Sequence, residues 1–306
     1  MPEIKNSVND LIELCRRAVE QGERIAVTGH DAPDADSIIS AVMMKKFLKK
    51  FNIESEVCFG TRPDGVTERD MRSLGLMDGI GFEGFSRGDL LLLVDHHKSF
   101  YENRTLASVD HHTTAPEPEG EVTIVKSASS CGRVIFDMAE SVGMADPWLE
   151  RLAIYSVYLD TQSCRSPKFK VADKEWLEKG IEKYGIDKAS LERMGFCLND
   201  IDEDAEALSM YGYKKYSFSS RPSFSTCIQI DSAEKKWDEK IEEIINSLQK
   251  RLILEGGSVW AFIVNMPIET RSDIYFINSL SGVDKISLDR LASRSRDVIP
   301  IVSILQ

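Results

Sequence analysis

Ala26-Val27-Thr28-Gly29-His30-Asp31-Ala32-Pro33-Asp34-Ala35-Asp36-Ser37 is the stretch from which the rest of the chain can be read. Its apolar lead-in, Ile25 to Val27, has the character of a short buried strand, and Ile38-Ile39-Ser40-Ala41-Val42-Met43-Met44 that of a helix. His30, Asp34 and Asp36 therefore fall on a strand-to-helix connection, the place where open α/β sheets bind ligands. Their spacing lets one imidazole and two carboxylates converge, and carboxylates that close repel unless a cation neutralises them. The plain alternative is that Asp34, Asp36 and Ser37 only cap the following helix.

Working outward, apolar residues at helical spacing over residues 4–20 (Val8, Leu11, Ile12, Cys15, Val19) predict a leading helix that Gly22 ends. A helix to about Lys50 and a strand at Glu54–Phe59 follow, and this alternation predicts a parallel sheet. The run Gly88-Asp89-Leu90-Leu91-Leu92-Leu93-Val94 is apolar enough to be buried on both faces and ends on Asp95-His96-His97. Leu106-Ala107-Ser108-Val109 then ends on Asp110-His111-His112. All five histidines of the chain lie in these three loops. Carboxylates and imidazoles clustered at a sheet edge would cost stability without a ligand, so the pattern points to a metal site. Oxygen-rich ligation with few imidazoles suits Mn²⁺, Mg²⁺ or Co²⁺ better than structural zinc.

Further along, Ser127-Ala128-Ser129-Ser130-Cys131-Gly132 opens a helix from Arg133 to Val142, where the N-terminus either receives an anion or is capped by serine; both readings remain open. A helix from Trp148 to Leu159 delivers Asp160 as one more carboxylate for metals. Arg165, Lys168 and Lys170 beyond it either face substrate or belong to a solvated loop.

The sequence is expected to divide into a domain over residues 1–190, an acidic linker over 191–206 and a smaller α/β domain over 207–306. In the latter, strands are predicted at 214–218, 224–230, 258–264 and 274–277, with a long amphipathic helix from about Ala233 to Glu255. The tail Ala292 to Pro300 is basic. The 306 residues carry a net charge of −12, which argues against a broad nucleic-acid surface while leaving room for a small anion in one cleft. No apolar run reaches the about 18 residues of a membrane span. The opening residues show no signal-peptide pattern and the six cysteines are scattered, so a cytosolic protein with reduced thiols is expected.

These motifs resemble those of the DHH phosphoesterases, and within them the family II, manganese-dependent inorganic pyrophosphatases and the exopolyphosphatases. Gly29 to Ser37 resembles the first motif, Leu93 to His97 the second and Val109 to His112 the third; Leu159-Asp160-Thr161 with Ser166-Pro167 resembles the fourth. Gly60 to Gly75 and Ser130-Cys131-Gly132 are also similar. The resemblance implies a parallel-sheet DHH domain with a C-terminal domain that closes over substrate, and two Mn²⁺ ions. Asp36, Asp95, His111 and Asp160 would hold one ion, and His30 and Asp34 the other, with Asp95 shared. His112 would face phosphate, oriented by Asp110. Lys214 and Arg294 lie where the family has substrate cations.

Three departures stand out: Ser295 where the family has lysine, Gly212 where an acidic residue is usual, and His97 in place of asparagine. Arg296 is the candidate to replace the missing lysine. The Gly-Gly-His signature of the nucleotide-cleaving branch is absent. The resemblance implies hydrolysis of pyrophosphate, with polyphosphate or a nucleotide as alternative substrates, and is compatible with a homodimer. Ser295 and Gly212 also support a competing reading, a regulatory protein that keeps the metal site without turnover.

Overall fold

Alternating strands and helices build the first part of the computed structural model, in which residues 2–82, 84–96, 101–113, 118–194, 204–216, 221–230, 235–278 and 282–304 are described. By packing, the chain divides into two units. The first comprises Met1–Pro63, Thr67–Cys164 and Lys168–Leu191, and the second Asp64–Val66, Arg165–Pro167 and Glu192–Gln306. Of the expected linker, residues 195–203 lie outside the described residues.

In chain order the elements up to residue 193 are α1 (Pro2–Glu20), β1 (Ile25–Thr28), α2 (Ala35–Lys49), β2 (Glu56–Cys58), α3 (Gly65–Ser73), β3 (Ile80–Gly81), β4 (Leu90–Val94), β5 (Thr105–Asp110), β6 (Val122–Val125), α4 (Cys131–Ser141), α5 (Pro147–Asp160), α6 (Lys174–Tyr184) and α7 (Lys188–Arg193). The strands form one sheet in the order β3-β2-β1-β4-β5-β6. Every pair in it is parallel. The order reverses direction between β1 and β4, where Thr28 sits opposite Leu93. At such a switch point the connections leave the two strands on opposite sides and open a crevice at their carboxyl ends. The loops after β1 and β4 begin there, with His30 and Asp95.

The apolar pattern explains why this arrangement is firm. All five residues of β4 are buried, as a central parallel strand covered on both faces requires. Helix α2 buries Ile38, Ile39, Met43, Met44, Phe47 and Leu48, because it packs on α4 and α5 as well as on the sheet. The four-residue β6 went unread in the sequence; it is a half-exposed edge strand with Ile124 as its buried residue.

The second unit contains α8 (Ala205–Leu208), β7 (Lys214–Tyr216), β8 (Ser223–Gln229), α9 (Lys235–Leu254), β9 (Val259–Met266), β10 (Arg271–Asn278), β11 (Gly282–Leu288) and α10 (Ile299–Val302). Its sheet runs β11-β10-β9-β8-β7, parallel at β8–β9 and antiparallel elsewhere. Trp237, Ile241, Ile244, Leu248 and Leu252 of α9 line one stripe and join Phe224, Trp260 and Phe262 of the sheet in one core. Strand β11 was not anticipated: its residues are largely exposed, so it carries no apolar alternation. No described helix is long and apolar enough to cross a membrane.

Candidate metal centre

Asp34 caps a helix and also faces an imidazole. It is the N-cap of α2, with Oδ1 accepting the Ser37 N–H at 3.1 Å, while Oδ2 lies 3.2 Å from His30 Nε2. His30 Nδ1 lies 2.8 Å from the Asp31 carbonyl, which turns Nε2 toward Asp34 and Asp95.

Asp95 occupies the centre. It follows β4 with φ +61°, a left-handed conformation that aspartate tolerates better than most residues and that functional loops often hold. Its N–H donates to the Val109 carbonyl at 3.0 Å, and Cys131 Sγ lies 3.2 Å from the same nitrogen. Oδ2 accepts from Ser37 Oγ at 2.6 Å and lies 3.6 Å from His30 Nε2. Oδ1 lies 3.3 Å from His111 Nε2.

Asp36 is held by the start of α4. Its Oδ2 accepts the Cys131 N–H at 2.7 Å, and its Oδ1 accepts the Gly132 N–H at 3.1 Å and Ser156 Oγ at 2.5 Å. Ser130 caps the same helix through the Arg133 N–H. Both readings of this segment therefore apply: serine caps the helix, and the helix receives an anion, which is the chain's own Asp36.

His111 faces three carboxylates. Its Nδ1 lies 3.2 Å from the Ala128 carbonyl, and Nε2 lies 3.7 Å from Asp36, 3.3 Å from Asp95 and 3.8 Å from Asp160. Burial works against its charge, but Asp95, Asp160 and Asp36 outweigh burial and raise His111 to about 10. Burial, with Asp95 beside it, pushes Asp36 upward. Both shifts have one cause: several carboxylates crowd one buried imidazole. His111 Nε2 and Asp160 Oδ2 are buried without a hydrogen-bond partner, which is costly for polar atoms unless something else binds them.

Asp110 orients the neighbouring histidines. Its Oδ1 accepts the N–H of His111 at 2.6 Å and that of His112 at 3.1 Å, and lies 2.8 Å from His112 Nδ1. The other ring edge of His112 is thereby turned away, and its side chain is 41% exposed. Among the described residues, three groups have ligand atoms within 4.8 Å of one another: His30, Asp34 and Asp95; Asp36, His111 and Asp160; and Asp95, Asp110, His111 and His112. His96 stays outside them, with Nδ1 3.2 Å from the Val94 carbonyl and a pKa lowered by burial to about 4. His97 lies outside the described residues.

The sequence reading missed the hydroxyls that fix these carboxylates. Ser37, Ser40 and Ser156 are fully buried hydroxyls in otherwise apolar helices, and that interruption was the available signal. It also left Lys168 open; the ammonium lies 2.7 Å from Asp160 Oδ1. Arg165 pairs with Glu192 at 3.3 Å.

Lys214, Arg294 and Arg296 belong to the second unit. Lys214 pairs with Ser225 across β7 and β8, and Arg294 Nε donates to Ser225 Oγ at 3.1 Å, so the sheet gathers the first two. Arg294 also donates to the Gly212 carbonyl. A Cβ on Gly212 would lie 2.6 Å from Arg294 Nη2, and φ there is +58°, so glycine suits the seat this guanidinium takes. Arg296 lies against Asp297 and the Leu291 carbonyl.

Residues 24–160 match the model of the DHH family, N-terminal domain. The chain is 24% identical to a manganese-dependent inorganic pyrophosphatase of Methanocaldococcus jannaschii, over 90% of this chain and 96% of that protein. It is 23% identical to one of Methanothrix thermoacetophila, over 91% and 97%. Among solved structures, it superposes with a TM-score of 0.75 on a Methanococcus jannaschii protein assigned to the family II inorganic pyrophosphatases, with 21% identity and coverage of 92% of this chain and 99% of that one. An exopolyphosphatase-related protein from Bacteroides fragilis gives 0.53 at 16% identity, covering 90% and 83%. The α/β architecture expected from the sequence is thus present in both units, and residues 24–160 are similar to the N-terminal domain of the DHH family.

Proposed function

We propose that this chain is a metal-dependent hydrolase of phosphoanhydride bonds, with inorganic pyrophosphate as substrate and Mn²⁺ as cofactor. One observation carries the reading: two groups of metal-ligating side chains lie side by side at the switch point of a DHH domain, and both contact Asp95. The match to manganese-dependent pyrophosphatases over nine-tenths of the chain supports the choice of metal and substrate.

The residues fit such ions. The unpartnered His111 Nε2 and Asp160 Oδ2 are the atoms a cation would satisfy, and the donor set is rich in hard oxygen. His30, Asp34 and Asp95 would hold one ion, and Asp36, Asp95, His111 and Asp160 the other. Bound Mn²⁺ supplies a Lewis acid that makes water nucleophilic at neutral pH and offsets phosphate charge. The chain's own groups do the rest. Asp110 fixes the His112 ring so that its free edge can donate to a phosphate oxygen, and Ser37 and the α4 N-terminus hold Asp95 and Asp36 in place. In the second unit, Lys214 and Arg294 are the cations we assign to substrate, with Arg296, two positions after Arg294, in place of the family's lysine.

The test is phosphate release from pyrophosphate by the Mn²⁺-loaded protein, next to Asp95→Ala and His111→Ala. Release abolished by either substitution supports the proposal. Mn²⁺ binding without release would remove pyrophosphate as substrate, and release from polyphosphate or a nucleotide alone would move the substrate while leaving the metal chemistry.

A further inference from the structure

Asp160 divides its two oxygens between unlike surroundings. Oδ1 lies 2.7 Å from Lys168 Nζ, and Oδ2 is buried, has no hydrogen-bond partner and lies 3.8 Å from His111 Nε2. A carboxylate free to rotate could present either oxygen, or both, to a cation. An ammonium fixed on one of them removes that freedom.

The backbone between these residues is built to make this contact. After α5 ends at Asp160, Gln162, Ser163 and Cys164 take φ values of +50°, +59° and +64° in succession. Three consecutive left-handed residues, none of them glycine, cost roughly 1–2 kcal/mol each. The turn is held by the Ser163 N–H on the Tyr158 carbonyl at 2.8 Å and the Cys164 N–H on Thr161 Oγ1 at 3.1 Å. It reverses the chain, so that Lys168 comes back onto the carboxylate eight positions before it. The Lys168 side chain is partly buried beside the cluster. Strain of this kind persists where surrounding contacts hold it and is concentrated at functional sites.

We propose that Lys168 is a positioning residue for the metal centre: by occupying Asp160 Oδ1 it presents Oδ2 to the ion shared with Asp36, Asp95 and His111. The inference rests on the metal reading above and deepens it. Two effects of the ammonium oppose each other, which makes the sign informative. As a hydrogen-bonded support for a ligand it should strengthen metal binding, since removing such partners commonly costs about 10–100-fold in affinity. As a nearby positive charge alone it should weaken binding, and its removal would then tighten it.

The experiment is a double-mutant cycle on Mn²⁺ affinity, read by the electron paramagnetic resonance signal of free Mn²⁺ in the full chain, with Lys168→Met, Asp160→Ala and the double variant. Lys168→Gln serves as a second variant, and circular dichroism confirms folding. The expected result is a loss of affinity of about 10-fold for Lys168→Met and no further loss when it is added to Asp160→Ala. Unchanged or tighter binding by Lys168→Met, or losses that add in the double variant, would overturn the role of Lys168 while leaving the metal centre intact. Wild-type protein that binds no Mn²⁺ would overturn the metal reading itself and this inference with it.

Discussion

Asp297 controls the surroundings of one of the residues assigned to substrate. It accepts the Ser293 N–H at 2.8 Å and two hydrogen bonds from Arg290, at 2.9 and 2.5 Å, and Arg296 Nε lies 3.3 Å away. Burial would raise its pKa, but Arg290, the Ser293 N–H and Arg296 prevail and lower it to about 2. A lowered carboxylate contributes stability that is present above the unfolded value, near 4, and is lost as pH falls through about 2. Asp297→Asn should therefore cost roughly 1–3 kcal/mol at pH 7, toward the lower end because the guanidinium partners are partly solvated. Urea denaturation of both proteins from pH 7 down to about 2 checks this: the gap should close over the acid end of that window. A gap that stays constant would mean that the ionised carboxylate contributes nothing.

At the scale of elements, the site depends on how closely α4 and α5 approach. A Cβ on Gly132 would lie 2.7 Å from Ser156 Cβ, closer than atoms can sit, and the same two residues supply donors to Asp36. In open space Gly132→Ala would stabilise α4 by up to about 1 kcal/mol. Here the helices must spread, so the variant should instead be destabilised by about 1–3 kcal/mol and bind Mn²⁺ more weakly. Thermal denaturation decides the sign, and a stabilised variant would show that the helices have room. This contact was not legible in the sequence, where Gly132 is one glycine in a serine-rich segment, because helix–helix distance has no local signature. The loops after β1, β4 and β5 were legible, since each apolar strand reaches histidine and aspartate within about three residues. Elements packed on one face or at an edge, such as β6 and β11, were lost because their half-exposed residues give little hydrophobic contrast.

Across the whole molecule, the sequence pointed to residues that the fold brings together but not to what restrains them. His30, Asp34, Asp36, Asp95, His111 and Asp160 are drawn from loops and helix ends as far apart as residues 30 and 160, and the parallel sheet's switch point brings them within reach. That assembly exists only in the folded chain, so whatever binds it stabilises the fold. A ligand at a free concentration of 100 times its dissociation constant adds about 2.7 kcal/mol. Asp36, Asp95 and Asp160 surround the His111 imidazole, so the site gathers negative charge that a cation would offset. Mn²⁺ should therefore raise the denaturation midpoint of the wild-type chain, and chelation should reverse the gain. Asp95→Ala, lacking the carboxylate between the two groups, should lose most of the response. Hydrogen exchange locates the effect: Mn²⁺ should slow exchange in α2, in the loops after β1 and β4 and at the start of α4, whose residues would carry the ligands or hold them. An equal midpoint shift in Asp95→Ala would mean that Mn²⁺ stabilises the protein from somewhere other than this cluster.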